Sequence, residues 1–452
     1  MDRLKIDVIA VLVVAGMALG LASFKAFAAP SLNEIDRKQK VLERKWELIE
    51  EQNKDKAAVS VGKEGFQLKS GDGKFALKLG GLVHADSRFF FDLPQNLGNN
   101  SFLLRRVRPI VEATLFDRFS VRIVPDFGGG TAVLQDAYAD IRFIPEIKLR
   151  GGKFKEPVGL ERLQSANSNL FVERGLPTNL VPNRDVGVQL FGDIGGGLVS
   201  YAVGAFNGVF DGGSSDGDNN DGKDIAGRVF VQPFLKTGIE PLKGLGVGAA
   251  ATFGKQKGSA SSPNLPGFKT AGQSTFFRYL NVPASGTTGA SIVVAAGKVY
   301  RITPQLYYSW GPFGFLGEYV RSSQEVDSGG TVDTLTHRAW QTAASFVLTG
   351  EKASYKGVKP KNPINPKEGK WGAVEIAARY NELRVDSAAF PVFADPTASA
   401  NLARGFGGGV NWYLNDNVKF VLDFEHTLFH GGAKTGNRQS ENALQTRLQL
   451  YF

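Results

Sequence analysis

The sequence predicts an all-β protein: a transmembrane antiparallel β-barrel of about 16 strands, preceded by a short N-terminal coiled-coil helix. Three observations predict this fold. Many segments of strand length alternate apolar with polar side chains, their connections alternate between short and long, and aromatic residues collect near the segment ends. Alternation also occurs in soluble β-sandwiches, so the other two observations are the ones that favour a membrane barrel.

The composition excludes several other classes of protein. The 452 residues include 55 Gly and no Cys, which excludes a disulfide scaffold, a thiolate zinc site and a cysteine nucleophile. With only 4 His, the chain offers little for a histidine metal site, and we expect no cofactor. No apolar run of about 18 residues follows the N-terminal segment, which excludes a helical membrane protein.

Residues 1–28 have the pattern of a secretory signal peptide. A basic start is followed by a mostly apolar stretch from Ile6 to Ala22 and by the small-x-small motif Ala26-Phe27-Ala28. We expect this segment to be removed on export. An uncleaved membrane anchor is the alternative, because the apolar stretch is long for a signal peptide.

Residues 31–56 follow a helical period. Apolar side chains recur at a 3-4 spacing, and opposite charges lie four residues apart, as in Asp36/Lys40. The spacing predicts a coiled coil too short to be stable alone, so it needs an oligomeric body that holds its copies together. A solvated linker helix is the alternative. The apolar positions are Leu32, Ile35, Leu42, Trp46 and Ile49.

The barrel is predicted over residues 63–452. Its last segment shows the alternation clearly, because Leu444, Leu448 and Phe452 share one face while Gln445 and Arg447 lie on the other. The predicted strands are 74–91, 102–116, 118–127, 133–143, 146–154, 185–194, 197–206, 225–235, 244–254, 299–309, 313–323, 339–348, 371–383, 405–414, 418–428 and 443–452.

Short turns alternate with long connections along this region. Asp117 and 415–417 mark tight turns, whereas 155–184 and 255–298 are long. Outer-membrane barrels have short periplasmic turns and long outer loops, and their last strand commonly ends as this one does on Phe452, so we expect an outer-membrane location. The other long connections are 207–224, 324–338, 384–404 and 429–442.

If the polar faces line the lumen, alternation places 11 basic and 8 acidic side chains there. The basic residues concentrate on four consecutive strands and form one positive arc, which would raise the local concentration of anions. The alternative is that the arginines face acidic groups across the lumen and serve only to set up a transverse electric field. The arc comprises Arg106, Arg108, Arg122, Arg142, Lys148 and Arg150, with Arg105 placed by alternation on the opposite face or at the rim. The acidic residues are Glu112, Asp126, Asp136, Asp140, Glu318, Glu375, Asp423 and Glu425.

Three connections differ in character. Residues 155–184 mix Leu, Phe and Val with polar residues, so we expect them to fold into the lumen as a constriction; a packed external loop is the alternative. Their polar residues at the constriction are Arg162, Ser165, Asn167 and Ser168. The Asp-rich 207–224 is expected to be a solvated outer loop, and the lysine-rich 350–370 lies on the periplasmic side by strand parity.

The chain resembles a known family, the phosphate-selective porins O and P. The matching stretches are FLLRRVRPIVEATLFDRFSVRIVPDF (102–127), LQDAYADIRFIPEIKLRGGKFKEPVGLERL (134–163), ERGLP (173–177) and WGAVEIAARYNELRVD (371–386). The resemblance covers roughly residues 63–452. It implies an outer-membrane barrel of sixteen strands, usually trimeric, that passes anions by diffusion.

The resemblance also implies a phosphate-binding constriction. In the family this site combines paired arginines on an early strand, an acidic wall residue, and a basic residue followed by serines on the inward loop. Carried over, these are Arg105 and Arg106, Asp136 or Gln135, and Arg162 with Ser165. The second serine position is Ala166, and an arginine, Arg162, stands where phosphate-specific members have lysine, so the match to those members is incomplete.

We therefore expect a passive outer-membrane porin that prefers small anions such as phosphate. The expected partners are outer-membrane lipid and lipopolysaccharide and two further copies of the chain, with no nucleic acid. A general, non-specific porin with an envelope-tethering coiled coil is the alternative. No enzymatic activity is expected, because an outer-membrane lipase needs a Ser/His pair near the rim, where His426 and His430 lie, and the chain has no G-x-S-x-G element.

Overall fold

The computed structural model describes residues 32–54, 56–62, 65–91, 98–218, 220–281 and 292–452. The signal peptide predicted at 1–28 lies outside these residues. Within them, every helix is too short or too polar to cross a membrane.

One helix, α1, spans Leu32–Lys54. Lys40 pairs with Asp36 at 2.9 Å, as the four-residue spacing predicts. Leu42 and Trp46, on the apolar stripe, are 57% and 65% exposed. The predicted helix is confirmed, whereas its assembly into a coiled coil stays a prediction.

Sixteen strands close into one antiparallel barrel, which confirms the predicted fold class. Each strand pairs with the next one along the barrel, and the last returns to the first. In order, the barrel strands are β3 (Phe75–Phe91), β4 (Ser101–Leu115), β5 (Phe119–Asp126), β6 (Val133–Ile144), β7 (Ile147–Lys155), β8 (Arg184–Ile194), β9 (Val199–Phe206), β10 (Asp224–Val231), β11 (Gly246–Lys257), β14 (Val293–Trp310), β15 (Phe313–Ser328), β16 (Thr331–Val347), β17 (Ala373–Arg384), β18 (Ala400–Tyr413), β19 (Val418–Gly431) and β20 (Glu441–Tyr451).

Four further strands form hairpins. The hairpin of β1 (Ala58–Gly62) and β2 (Gly65–Lys69) extends the edge of β3, and β12 (Gly267–Lys269) pairs with β13 (Thr275–Arg278) in the connection between β11 and β14.

The barrel closes where the C-terminal residue meets β3. Phe452 N donates to Gly81 O at 3.0 Å, and Gly81 N donates to Phe452 O at 2.9 Å. A Cβ on the neighbouring Gly80 would lie 2.5 Å from the backbone oxygen of Phe452, so a glycine is required at this crossing. The terminal Phe therefore completes the seam of the barrel.

The barrel distributes polar and apolar side chains in the opposite way to a soluble protein, with polar residues inside and apolar residues outside. The lumen-facing Arg301 and Arg447 are 1% exposed, whereas their outward neighbours Ile302 and Leu448 are 48% and 53% exposed. An outward apolar surface is the one a bilayer covers. The buried apolar core lies where outer connections fold against the inner face of the barrel, as when Phe268 and Phe277 pack with Leu335.

The predicted connection 324–338 is wrong. β15 and β16 continue to Ser328 and Thr331, and the two residues Gly329 and Gly330, both with positive φ, join them. Two glycines in a left-handed conformation are typical of a tight hairpin turn, and this signal was overlooked in the sequence.

The predicted solvated loop 207–224 is also wrong for two of its acids. Asp211 and Asp224 are buried, and both bind the guanidinium of Arg301, with Asp224 at 3.0 Å. A buried arginine needs such partners, so the lumen face of β14 draws this connection inward.

Candidate functional site: the pore constriction

A β-bulge on β4 turns two neighbouring arginines toward the lumen. Arg106 pairs with His84 and Leu104 pairs with Ala85, which leaves Arg105 as an extra residue in the ladder. Arg105 and Arg106 consequently line the same cavity. The bulge is the physical reason that alternation misplaced Arg105.

Asp126 on β5 braces this bulge. Its carboxylate accepts hydrogen bonds from Val107 N and Gly128 N, both at 3.0 Å, and from Arg108 Nε at 2.8 Å. Gly128 lies so close to the bulge that a Cβ would sit 2.6 Å from Arg105 O. The neighbouring strand thus fixes the spacing of the arginine pair.

Residues 156–183, which we call the constriction segment, lie inside the barrel. The segment contains one helical turn, α2 (Leu160–Leu163), and two 3-10 turns, Ala166–Ser168 and Leu176–Leu180. Val158 and Leu180 are completely buried. The segment therefore packs as part of the core and not as an external loop.

Carboxylates of the opposite wall hold the constriction segment through its backbone. Glu318 on β15 accepts from Leu160 N at 2.7 Å, and Asp423 on β19 accepts from Val172 N at 2.6 Å. Lys419, also on β19, donates to Asn169 O at 2.9 Å. We call the lumen face of β15–β19 the anchoring wall.

The anchoring wall changes the charge balance predicted for the lumen. Glu318 and Asp423 bind the segment, Glu425 pairs with Arg379, and Glu375 accepts from Tyr413 Oη at 2.7 Å. All four carboxylates are at most 5% exposed. Half of the acids that alternation assigns to the lumen are therefore covered and do not face the pore.

The open part of the lumen lies between the constriction segment and the other side of the barrel. A cavity of about 900 Å³ there is lined by 11 basic and 5 acidic side chains. We call its strand-borne side, the lumen face of β4–β10, the pore wall. The predicted site residues that line the cavity are Arg105, Arg106, Arg108, Arg122, Asp136, Arg150, Arg162 and Ser165.

Arg142 is the predicted site residue that the structure does not bring to this cavity. It lies near the far end of β6, where its Nη2 donates to Asp117 O in the β4–β5 turn at 3.1 Å. For Arg142, alternation gave the correct face of the strand but not the height along the pore.

Carboxylates order the arginines of the pore wall. Arg150 makes two hydrogen bonds to Asp140, at 2.7 and 2.8 Å, and its guanidinium carbon lies 3.8 Å from the centre of the Tyr138 ring. Arg184 Nε donates to Asp136 at 2.9 Å, so the predicted acidic wall residue positions an arginine. These bidentate and cation–π contacts fix the guanidinium planes.

Three cations at the constriction bind backbone oxygens instead. Lys155 Nζ and Arg174 Nη2 donate to Gln164 O at 2.9 and 2.8 Å, and Arg162 donates to Thr178 O. Arg162 Nε is buried and has no hydrogen-bond partner. We call Lys155, Arg162 and Arg174 the cationic cluster; in the described ranges, no carboxylate lies within 4.0 Å of its charged nitrogens.

The charges of the cationic cluster are held by backbone oxygens, and Glu161 compensates Arg162 and Arg174 only from a distance. Burial, together with repulsion from Arg174 and Arg184, lowers the pKa of Arg162 to about 9. Burial also lowers the pKa of Arg174 to about 10. Both side chains stay protonated at neutral pH, and an anion placed among them would relieve the unfavourable electrostatics.

Glu173 has the opposite environment. Burial would raise the pKa of its carboxyl group, but Arg105 and Arg106 outweigh that effect and lower the pKa well below its usual range. Arg105 Nε lies 2.5 Å from Glu173, and Arg106 Nη2 lies 4.0 Å away. The paired arginines therefore already have a directly bonded counter-ion, whereas the cationic cluster has none among the residues that the structure describes.

Among the charged residues that line the cavity, sequence analysis missed Lys155, Glu173, Arg174 and Arg184 at the constriction and Asp193, Asp211 and Lys269 elsewhere. Glu173 and Arg174 begin the ERGLP stretch that was used only to support the family resemblance. Lys155 and Arg184 are the strand residues that flank the constriction segment. The sequence held a signal for Lys155 and Arg184, because residues at the two ends of a loop that folds into the lumen lie beside the constriction.

The lysine-rich residues 350–370 reach the constriction from the other side. Gln164 Nε2 donates to Tyr355 O at 2.7 Å, Ser168 Oγ donates to Lys356 O at 2.9 Å, and Tyr355 Oη donates to Leu160 O. Ser168, predicted to face solutes, instead holds the two segments together.

Comparisons with known proteins agree with this geometry. The family phosphate-selective porin O and P matches residues 77–452. Porin O of Pseudomonas aeruginosa is 24% identical over 417 residues, which cover 86% of this chain and 91% of that protein.

Two solved structures show the same fold at low identity. The outer membrane channel DcaP of Acinetobacter baumannii has a TM-score of 0.52 at 9% identity, covering 85% of this chain and 99% of that chain. OmpT of Vibrio cholerae in its trimer form has a TM-score of 0.50 at 12% identity, covering 84% and 99%. With the family match extending over most of the barrel, the chain belongs to the phosphate-selective porin O and P family and is an outer-membrane porin.

Proposed function

We propose that this porin passes small anions in preference to cations and binds phosphate, or a related anion, at its constriction. The observation that carries the proposal is the cationic cluster, whose buried side chains hydrogen-bond, within the described part of the chain, to backbone oxygens and not to carboxylates. The excess of basic over acidic side chains around the cavity supports it, as does the family to which the chain belongs.

Passage needs two steps and no chemistry on the solute. The pore wall first concentrates anions, because a cleft of one sign with low-dielectric walls focuses the field. At the cationic cluster the anion then exchanges part of its hydration shell for guanidinium and ammonium donors and for the hydroxyl of Ser165. Ala166 supplies no donor, which favours rapid release over tight binding.

The test is the reversal potential of single channels in a planar bilayer under a KCl gradient. The double variant Arg162→Gln/Arg174→Gln should lose most of the anion preference. Arg142→Gln is the control, because it removes one arginine charge outside the cavity, and it should behave as wild type. An unchanged reversal potential in the double variant, or equal losses in both proteins, would refute the assignment of the site.

Phosphate added to the same channels distinguishes a phosphate site from a general anion pathway. Block of chloride current at low phosphate concentration supports the site. Ala166→Ser should then strengthen the block about fivefold, since one additional hydrogen bond contributes about 1 kcal/mol. Chloride selectivity without block would leave a general anion porin, and a cation-selective reversal would contradict the whole proposal.

We also propose that the porin is a homotrimer and that α1 contributes to its assembly. The exposed stripe that includes Leu42, Trp46 and Ile49 supports a coiled coil. Deleting residues 31–56 should lower the temperature at which the trimer dissociates on gels. An unchanged temperature would contradict this role and favour the envelope-tethering alternative.

No catalytic role is proposed for the two histidines near the outer rim. His426 Nδ1 lies 2.6 Å from Asn442 Oδ1, and His430 Nδ1 lies 2.9 Å from Asn401 Oδ1. These contacts use asparagine where a hydrolase would use serine. Lipid hydrolysis by the pure protein that is lost in His426→Ala would contradict this proposal.

A further inference from the structure

Three arginines lie directly opposite one another on the outward face of the barrel. Arg321 on β15 is opposite Arg338 on β16, and Arg338 is opposite Arg384 on β17. Like charges in directly opposed positions of antiparallel strands destabilise the sheet. The row is therefore unfavourable within the protein alone, which points to an external anion.

Among the described residues, only Arg384 of this row has a carboxylate partner, and that partner is shared. Glu382 pairs with Arg404 at 2.9 Å and lies 3.6 Å from Arg384. Across the residues that the structure describes, no carboxylate lies within 4.0 Å of the guanidinium nitrogens of Arg321 or Arg338. Arg321 Nε is buried without a hydrogen-bond partner.

The row occupies the height of a lipid headgroup. Toward the middle of the barrel, the rings of Trp340 and Tyr380 lie 5.0 Å apart, and beyond them the outward Phe346 and Ile376 are exposed. Going outward, the order is apolar, aromatic and then arginine, which matches hydrocarbon, interface and headgroup. The row lies toward the same end of the barrel as the constriction segment and the other long connections, which is the outer end.

A groove adjoins the row. It has a volume of about 490 Å³, and its lining includes Arg338, Arg384, Thr336, Asn401 and His430. Asp386 is also part of the lining, but its carboxylate already accepts from Thr336 N at 2.7 Å and Ala388 N at 3.0 Å. The groove thus offers guanidinium, hydroxyl, amide and imidazole groups to an acidic ligand.

We propose that the row Arg321–Arg338–Arg384 and its groove bind the phosphate groups of lipopolysaccharide in the outer leaflet. Planar guanidinium groups bind phosphate oxygens in a bidentate manner, and a row spaced across adjacent strands suits a headgroup that carries more than one phosphate. The exposed apolar residues below the row would meanwhile contact the acyl chains. This site faces the lipid, so it is independent of which solute crosses the pore.

The test uses the full chain refolded in detergent without lipid and titrated with diphosphorylated lipid A, with bound lipid counted by native mass spectrometry. The double variant Arg338→Gln/Arg384→Gln should bind at least tenfold more weakly. Arg118→Gln, which removes an exposed charge from the β4–β5 turn at the opposite end of the barrel, is the matched control and should bind as wild type. Heat-modifiability on gels checks that each protein is folded, and Arg338→Gln alone serves if the double variant does not fold.

A second ligand separates phosphate recognition from acyl-chain contact. Lipid A stripped of its phosphates should bind wild type as weakly as intact lipid A binds the double variant. Equal binding of both lipids to wild type would overturn the proposal. A second outcome would also overturn the proposal: the double variant binds lipid A as tightly as wild type but has a changed oligomeric state. The row would then be a contact between protomers. Channel selectivity should be unchanged in these variants, so failure here leaves the proposed anion pathway intact.

Discussion

The pore wall and the anchoring wall carry similar residues on their lumen faces and use them differently. On the anchoring wall, Glu318 and Asp423 bind backbone N–H groups of the constriction segment, and Arg379 pairs with Glu425. On the pore wall, Arg150 and Arg184 pair with acids yet still line the open cavity.

The difference shows that a count of inward charges does not give the charge of a pore. A carboxylate that is covered by a folded segment accepts hydrogen bonds from backbone N–H groups. It therefore adds little to the electric field in the open lumen. The charge of the open pathway therefore depends on which wall the constriction segment packs against. Here it covers the wall on which acids outnumber bases, Glu318, Glu375, Asp423 and Glu425 against Arg379 and Lys419. The pathway that remains open is therefore more positive than the sequence count of 11 basic to 8 acidic side chains.

The largest effect should come from releasing the constriction segment. In Glu318→Ala/Asp423→Ala, each lost carboxylate removes charged hydrogen bonds worth about 1.5–3 kcal/mol, and buried N–H groups are left unsatisfied. We expect a higher and noisier single-channel conductance, because the constriction segment is no longer held against the anchoring wall.

The matched control for this change is Glu375→Ala. Glu375 lies on the same wall, but it accepts a hydrogen bond from Tyr413 Oη and not from the constriction segment. Its conductance should stay at the wild-type value. Equal conductance in the released variant and in this control would show that apolar packing, and not the carboxylates, holds the segment.

A smaller effect should follow from neutralising one acid on each wall. Asp140→Asn removes the partner of Arg150 on the pore wall and should increase the chloride-to-potassium permeability ratio. The increase should not exceed about fivefold, since a unit charge 4 Å away in water contributes about 1 kcal/mol. Glu425→Gln removes an acid that the constriction segment covers and should leave the ratio unchanged. A larger shift in Glu425→Gln than in Asp140→Asn would reverse the roles assigned to the two walls.

The smallest effect concerns salt. The Debye length falls from about 10 Å at 0.1 M to about 3 Å at 1 M, so the exposed pore wall is screened and the buried cationic cluster is screened much less. The difference in selectivity between wild type and Arg150→Gln should vanish at 1 M KCl, whereas that between wild type and Arg162→Gln should persist. Parallel loss of both differences would mean that the cluster is as solvated as the wall.

The sequence was sufficient for the barrel and for most of the pore wall, because both follow from the two-residue period of strands. It placed Arg108, Arg122 and Arg150 on the correct face. It misplaced Arg105, because a bulge breaks the period, and it could not give the height of Arg142 along the pore.

The anchoring contacts could not be predicted at all. The bonds from Glu318 to Leu160 N and from Asp423 to Val172 N join residues far apart in the chain, and no local pattern marks a carboxylate that accepts from a distant backbone. The hairpin at Gly329–Gly330 was different, since adjacent glycines between polar strand ends are a local signal. The prediction was therefore limited by hydrogen bonds between residues far apart in the chain, and not by local secondary-structure preferences.

The bulge at Arg105 also has a consequence for how such channels vary. One inserted residue places two sequence neighbours on the same side of a strand, so a barrel can double its local charge density without gaining a strand or lengthening a loop. Deleting that single residue would restore the regular ladder and halve the charge at one height. A one-codon insertion or deletion, and not a series of substitutions, would then be the shortest evolutionary route between a weakly and a strongly charged pore.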